Sequence, residues 1–323
     1  MNVEKGIKKE EIKHKNEINL KYKTEKEGNK RIFSYNFVDK NINNISLIIN
    51  GKYSPLISEY YLKQEENNIK ICIKNHLKNL SYMLFFCKNL YNIDELKYLN
   101  TENVTNFSNM FEYTKISNIQ ALENWDTSKS ENFKSMFYGC ELLTNIKQLK
   151  NWNVSSCKNF SEMFGRCNIS DIIILKNWNI SKCEDLSHIF EYCENITDLT
   201  PIQNWNVSNC KNLSHTFASC KNISDISPIK NWNVSKVKDL SGLFYDLENL
   251  SDITPIQNWN VSNCENFNVL IANCKNLSDL SPIKNWNISN AKTLFSLFSG
   301  LKNLSDLTPI KNWDISKCEN ISI

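Results

Sequence analysis

The sequence predicts a β-solenoid, a fold in which short repeats of similar sequence stack on one another as successive coils. Eight tryptophans recur at separations of 27, 26, 27, 27, 27, 27 and 27 residues. Self-similarity at a fixed period of about 20–50 residues is typical of stacked-repeat proteins. Each tryptophan stands three residues before a serine, and six of them stand at fixed distances from a phenylalanine and from a cysteine or leucine. The tryptophans are Trp125, Trp152, Trp178, Trp205, Trp232, Trp259, Trp286 and Trp313.

The spacing of apolar residues indicates what each coil contains. With tryptophan as position 0, apolar residues recur every three residues from +12 to +24. This pattern favours one short parallel strand, tight turns and a turn of 3-10 or α-helix in each coil, and not a long amphipathic helix. We expect the tryptophans and the phenylalanines at +12 to form the structural core, unless exposed tryptophan rings provide a carbohydrate platform. Those phenylalanines are Phe137, Phe164, Phe190, Phe217, Phe244 and Phe298.

Three segments are predicted along the chain. Residues 1–30 are rich in Lys and Glu, which predicts a partly disordered or helical segment. Residues 31–71 contain β-rich runs and an Asn-Gly turn signal, which predict a small N-terminal cap over the edge of the first coil. Residues 72–323 hold about nine repeats and a partial last one.

Two halves of the repeat resemble the BspA-type leucine-rich repeat of bacteria and protists. The strand-and-turn half is seen in Leu277–Ser289, and the half with Ser, Phe and Cys every three residues is seen in Lys211–Cys220. The Trp-Asp-Thr-Ser form usual in that family is unchanged only at Trp125–Ser128, and most copies read Trp-Asn-Val-Ser. The resemblance implies a leucine-rich-repeat solenoid that binds proteins at the cell surface or inside the cell.

The twelve cysteines favour packing over disulfides or metal ligation. They recur at +5 and +15, but other repeats place Val237, Ala291, Leu247 or Leu301 at the same positions. A position that accepts Cys, Val, Ala and Leu is a packing position, and free Cys behaves as a small buried hydrophobe. Zinc sites need paired Cys or His partners, and the four histidines are scattered along the sequence. We therefore predict no metal site and no cofactor.

A recurring aspartate at +20, as in Asp198 and Asp225, precedes a Ser/Thr-Pro turn. Such an aspartate can accept backbone N–H bonds and stabilise the turn. A stacked column of carboxylates that binds cations is the alternative. Recurring asparagines, as at Asn204 and Asn222, are interpreted as side-chain ladders between coils.

Composition and motifs exclude several functions. The formal net charge of +3 and the presence of only two arginines, Arg31 and Arg166, count against a nucleic-acid partner. No phosphate-binding loop, nucleophile elbow or His-Glu-x-x-His motif is present. The serines recur once per repeat, which marks them as turn residues. We therefore predict that the protein is not an enzyme.

The N-terminus lacks the apolar region of a secretory signal, and no run of 18 apolar residues predicts a membrane span. Many Asn-x-Ser/Thr sequences, such as those at Asn153 and Asn206, would be glycosylated in a eukaryotic secretory pathway, where glycans would obstruct stacking. These observations favour a cytoplasmic location, with the cell surface as the alternative.

The predicted function is a monomeric, non-enzymatic scaffold that binds a protein partner through the extended face of the solenoid. A cell-surface adhesin or glycan-binding repeat protein of a bacterium or protist is the alternative. Contact residues are expected where the repeat pattern is broken, because stacking constrains the regular positions. The candidates are Ile173, Ile174, Tyr245, Asp246, Val269 and Leu270.

Overall fold

An antiparallel sheet joins the N-terminal region to the first coil. The computed structural model describes residues 16–64 and 66–321. The elements of this region are β1 (Glu17–Tyr22), β2 (Gly28–Arg31), α1 (Tyr35–Asn41), β3 (Ile45–Ile49), β4 (Lys52–Pro55), β5 (Glu59–Leu62), β6 (Asn67–Ile73) and β7 (Leu90–Asn92). One sheet has the strand order β4-β3-β6-β1-β7, and β2 pairs with β5. Strand β7 lies in the first coil, so the sheet is continuous with the solenoid.

The predicted helical or disordered character of residues 1–30 is wrong where the structure describes this segment. Strand β1 and most of strand β2 lie within it, whereas residues 1–15 lie outside the described residues. In β1 the side chains of Ile18, Leu20 and Tyr22 are fully buried. Their period of two lines one face of a strand, and burial of that face outweighs the charged composition of the segment.

The solenoid coils contain short 3-10 helices in place of longer elements. The proline of the Ser/Thr-Pro-Ile sequence stands in the first turn of η5 to η9, where its fixed φ suits the helix and no hydrogen bond is lost. Within the described residues the helices are η1 (Asp94–Tyr98), η2 (Gln120–Leu122), η3 (Lys147–Asn151), η4 (Ile173–Asn177), η5 (Thr200–Ile202), η6 (Ser227–Ile229), η7 (Thr254–Ile256), η8 (Ser281–Ile283) and η9 (Thr308–Ile310).

The repeats form a solenoid, but the predicted short parallel strands are reduced to single-residue bridges. A column of parallel bridges runs from Asn79–Asn106 to Thr293–Asn320. After each bridge the chain adopts positive φ at positions +10 and +14, as at Asn109 (59°) and Tyr113 (54°). These left-handed residues prevent the chain from continuing as an extended strand.

Stacked aromatic rings fill the core. The ring centres of Phe111 and Phe137 are 5.7 Å apart, and their planes differ by 1°. The ring centres of Phe137 and Phe164 are 6.0 Å apart, and their planes differ by 3°. Trp125 to Trp286 are only 4–5% exposed, so these rings do not form a carbohydrate platform. The indole N–H of Trp152 donates to the carbonyl of Leu122 in the preceding coil at 2.9 Å. The two aromatic columns therefore connect neighbouring coils as well as filling the interior.

The cysteines also connect coils. Ten of the twelve are buried, and all twelve are free thiols. At +15, the thiol of Cys167 donates to the carbonyl of Phe137 at 3.0 Å, and Cys193 repeats this contact with Phe164 at 3.0 Å. Burial raises the pKa of Cys193 to about 12. These thiols are neutral packing groups at physiological pH.

The aspartates at +20 stabilise turns, as predicted. The N–H of Ser227 donates to Oδ1 of Asp225 at 2.7 Å, and the same bond recurs in the other coils that carry this aspartate. Asn153, an Asn-x-Ser asparagine, accepts from the N–H of Ser155 in a similar turn, yet its side chain is exposed. A glycan at such a position would lie outside the core, so the predicted conflict between glycans and stacking is not found there.

Candidate functional site

The coils share a scaffold, but three positions on each coil vary widely in residue type. We call positions +10, +13 and +14 of all coils the variable ribbon. Position +10 holds Tyr82, Asn109, Ser135, Glu162, His188, His215, Gly242, Val269 and Ser296. Position +13 holds Phe85, Glu112, Tyr138, Gly165, Glu191, Ala218, Tyr245, Ala272 and Ser299. Position +14 holds Phe86, Tyr113, Gly139, Arg166, Tyr192, Ser219, Asp246, Asn273 and Gly300.

A ladder of backbone hydrogen bonds forms the ribbon. The N–H groups at +8, +10, +12 and +14 of one coil donate to carbonyls of the next coil. In one coil the donors Asn109 and Tyr113 bond to Lys134 and Tyr138, both at 2.8 Å. Every described residue at +10 and +14 has positive φ. Left-handed backbone costs about 1–2 kcal/mol for a residue other than glycine, and the ladder offsets this cost.

The alternation of backbone conformation separates two kinds of side chain. Residues at +8 and +12 point into the core, where Phe107 and Phe111 are fully buried. At +14, Phe86 is 38% exposed and Tyr192 is 39% exposed, whereas the small Ser219 at the same position is buried. The side chains of the ribbon are therefore free to vary without disturbing the aromatic columns.

Both arginines of the chain lie against aromatic rings of this surface. The Arg31 guanidinium, from the N-terminal cap, is 5.8 Å from the ring centre of Phe86. The Arg166 guanidinium is 4.3 Å from the ring centre of Tyr192, and its Nε donates to the hydroxyl of Tyr138 at 2.8 Å. Burial raises the pKa of Tyr138 to about 12, so its hydroxyl is neutral. Cations at this distance from a ring are attracted to its face.

The rings continue from coil to coil. Phe86 meets Tyr113 edge to face at 5.5 Å, and Tyr113 meets Tyr138 in the same way at 5.5 Å. Glycines make room for them: a Cβ at Gly139 would lie 2.5 Å from the Tyr113 ring, and one at Gly165 would lie 2.8 Å from the Tyr138 ring. A ring in one coil therefore lies over a glycine in the next.

A histidine pair follows the aromatic part of the ribbon. His188 and His215 stack with ring centres 4.7 Å apart and an interplanar angle of 8°. Nδ1 of His188 is 3.1 Å from Oε2 of Glu191. The interpretation of the histidines as scattered was wrong for these two, because 27 residues in sequence correspond to one step of the solenoid.

The structure separates the six predicted contact residues. Tyr245, Asp246 and Val269 lie on the ribbon, but Leu270 is only 2% exposed and packs in the core, so it is excluded as a contact residue. Ile173 is 46% exposed on η4, outside the ribbon, and its neighbour Ile174 is 9% exposed.

Sequence reasoning missed the rest of the ribbon, including Arg166, Tyr192 and the histidine pair. A column-by-column comparison of residue types would have revealed it, since +10, +13 and +14 vary where the core positions do not. The prediction searched instead for single copies that broke the pattern.

Comparison with known proteins identifies the family but not an activity. No curated protein and no solved structure matches the chain. A family model described as "Mycoplasma protein of unknown function, DUF285" matches residues 58–172, 166–279 and 248–323. Three overlapping matches agree with the array of repeats in the structure. Because together they extend over most of the sequence, the chain belongs to this Mycoplasma repeat family of unknown function.

Proposed function

We propose that the protein is a non-enzymatic interaction module that binds a protein partner through the variable ribbon. The observation that carries the proposal is that the guanidinium groups of Arg31 and Arg166 lie over rings of the ribbon, of which Phe86 and Tyr192 are exposed. Tyr, Trp, Phe and Arg are enriched at protein interfaces, and Tyr, Trp and Arg among the residues that contribute most to binding.

Positive charge near the N-terminal half of the ribbon supports a partner segment that is apolar and acidic. Arg31, Lys88 and Arg166 each stand over a ring, with the Lys88 ammonium 4.3 Å from the ring centre of Phe86. A partner segment with apolar side chains flanked by carboxylates would complement both the rings and the cations. The near-neutral net charge of +3 favours such local recognition over binding to a nucleic-acid polyanion.

Within this proposal the repeats are of the BspA-type leucine-rich kind, and the chain acts as a monomer. The apolar positions that carry the resemblance are the buried ones: Leu277, Leu280 and Ile283 are at most 2% exposed. We propose a cytoplasmic location, with the cell surface as the alternative. No helix among the described residues is long and apolar enough to cross a membrane.

The glycan-binding alternative would use the exposed rings of the ribbon. Trp125 to Trp286 are buried, whereas Phe86 and Tyr192 offer exposed rings. Binding of the full-length chain to an immobilised glycan panel, lost in Tyr192→Ala, would favour this alternative over a protein partner.

The test compares the full-length protein with single variants for a partner identified by cross-linking. Arg166→Ala and Tyr192→Ala are each expected to weaken partner binding by roughly tenfold or more, because truncation of a residue that dominates an interface costs about 2 kcal/mol or more. Ile173→Ala is the matched control, since Ile173 is exposed but lies outside the ribbon. Unchanged affinity in both ribbon variants, or an equal loss in the control, would contradict the proposal.

A further inference from the structure

The histidine pair of the ribbon has the composition of a metal site. His188 and His215 occupy position +10 of consecutive coils, and Glu191 follows His188 at position +13. One ligand atom from each of the three side chains lies within 4.8 Å of the other two. Among residues 16–64 and 66–321, this is the group of three potential ligands that lies close enough to hold one ion.

One atom of the pair lacks the partner that a buried polar atom requires. Nδ1 of His215 is buried and makes no hydrogen bond. The neighbour on that side is Gly242, where a Cβ would lie 2.4 Å from Nδ1, so no side chain there can provide a partner. A buried nitrogen without a hydrogen-bond partner is unfavourable, because it has lost its bonds to water. An imidazole that turned toward a ligand would satisfy this nitrogen.

We propose that His188, His215 and Glu191 together bind one divalent transition-metal ion, of which Zn²⁺ fits best. Two imidazoles and one carboxylate are a common ligand set for zinc. Ligand atoms about 2.0–2.1 Å from a tetrahedral ion stand about 3.3 Å from each other. The 3.1 Å distance between Nδ1 of His188 and Oε2 of Glu191 already matches that spacing.

The third ligand requires a movement of the ring. A metal lies in the plane of the imidazole that binds it, so the two parallel rings must turn out of their stack. The ring of His215 lies against Gly242, where a side chain would clash with it. Three protein ligands leave one tetrahedral position for water or for a donor atom of a bound partner. The metal site lies on the variable ribbon, the surface proposed to bind a protein partner. Metal binding at this site does not depend on binding of that partner.

The test measures Zn²⁺ binding by the full-length, reduced and metal-free protein against a chromophoric chelator. The wild type is expected to take up one equivalent. His188→Gln, His215→Gln and Glu191→Gln are each expected to weaken binding by about 100-fold or more, because even loss of a group that only orients a ligand costs about 10–100-fold. His76→Gln is the matched control, since His76 lies at the cap and outside the cluster.

Two further measurements make the result unambiguous. Far-UV circular dichroism of each metal-free variant shows that its fold is retained, and the partly exposed Glu191 and His188 provide variants whose loss of packing is small. Co²⁺ substitution reports the ligand type, because the chain also holds twelve cysteines. A Co²⁺ spectrum without a thiolate charge-transfer band supports the proposal. Such a band, an unchanged affinity in the folded variants, or an equal loss in His76→Gln would overturn it.

Discussion

The core columns and the variable ribbon belong to the same coils, yet they obey opposite rules. Position +12 is phenylalanine in almost every coil, and its rings stack nearly parallel. Position +14, only two residues later, ranges from Gly139 through Arg166 to Asp246. Stacking therefore constrains the residue type most strongly where both neighbouring coils enclose the side chain. Where one side is open, the backbone ladder holds the coil together and the side chain can serve recognition.

The largest expected effect comes from removing one ring of the core. Phe164→Ala should lower the free energy of unfolding by about 3–5 kcal/mol, because it leaves a cavity between two stacked rings. Tyr192 has a ring of similar size that is 39% exposed on the ribbon. Tyr192→Ala should therefore lower the free energy of unfolding far less. Urea unfolding followed by circular dichroism compares the two. Equal losses would break the distinction between core and ribbon.

A smaller effect is expected where the ribbon itself is tightly packed. Gly242 has φ +57°, and an added Cβ would lie 2.3 Å from the His215 ring. Gly51 also has positive φ (+80°), but nothing lies within 4 Å of its added Cβ. Gly51→Ala should lower the free energy of unfolding by about 1–2 kcal/mol from backbone conformation alone. Gly242→Ala should lower it more, because the His215 ring must also move. Thermal denaturation of both variants measures the difference. Equal losses of stability in the two variants would show that the His215 ring moves aside without cost.

The pH dependence of stability is expected to be smaller still. The pKa of His215 is lowered in the folded protein, so the unfolded chain binds more protons as the pH falls through about 6.5. Its contribution to stability is therefore present above that pH and is lost below it. The midpoint of thermal unfolding of metal-free protein should fall on acidification, and His215→Gln should flatten this fall. His76→Gln should keep the wild-type dependence; a flattening in both would contradict the assignment to His215.

The smallest effect is expected at the ion pairs between coils. Lys158 Nζ lies 2.8 Å from Oε2 of Glu131, but both side chains are 54% exposed. Exposed pairs contribute little because water and salt screen them. Lys158→Met should therefore leave the midpoint of thermal unfolding within the error of the measurement. A clear loss of stability at low salt that disappears at high salt would show that these ion pairs contribute measurably to stability, contrary to this expectation.

Particular residues show how far sequence reasoning reached. The tryptophan spacing predicted the repeat, and the role of Asp225 followed from the chemistry of its turn. Strand β1 was missed because the lysines and glutamates around Ile18 and Leu20 obscured a period of two. The assignment of Leu270 to the surface failed because a break in pattern does not reveal which way a side chain points.

The repeat period, the core residues and the turn chemistry can be read from the sequence. Each of these depends on side-chain size or on hydrogen bonds between near neighbours, which recur visibly at 26 or 27 residues. The left-handed ladder, the arrangement of arginines over rings and the stacking of His188 on His215 are seen only in the folded chain. These features depend on the register between coils. That register arises from the stacking of a whole coil on the next, and no single repeat contains it.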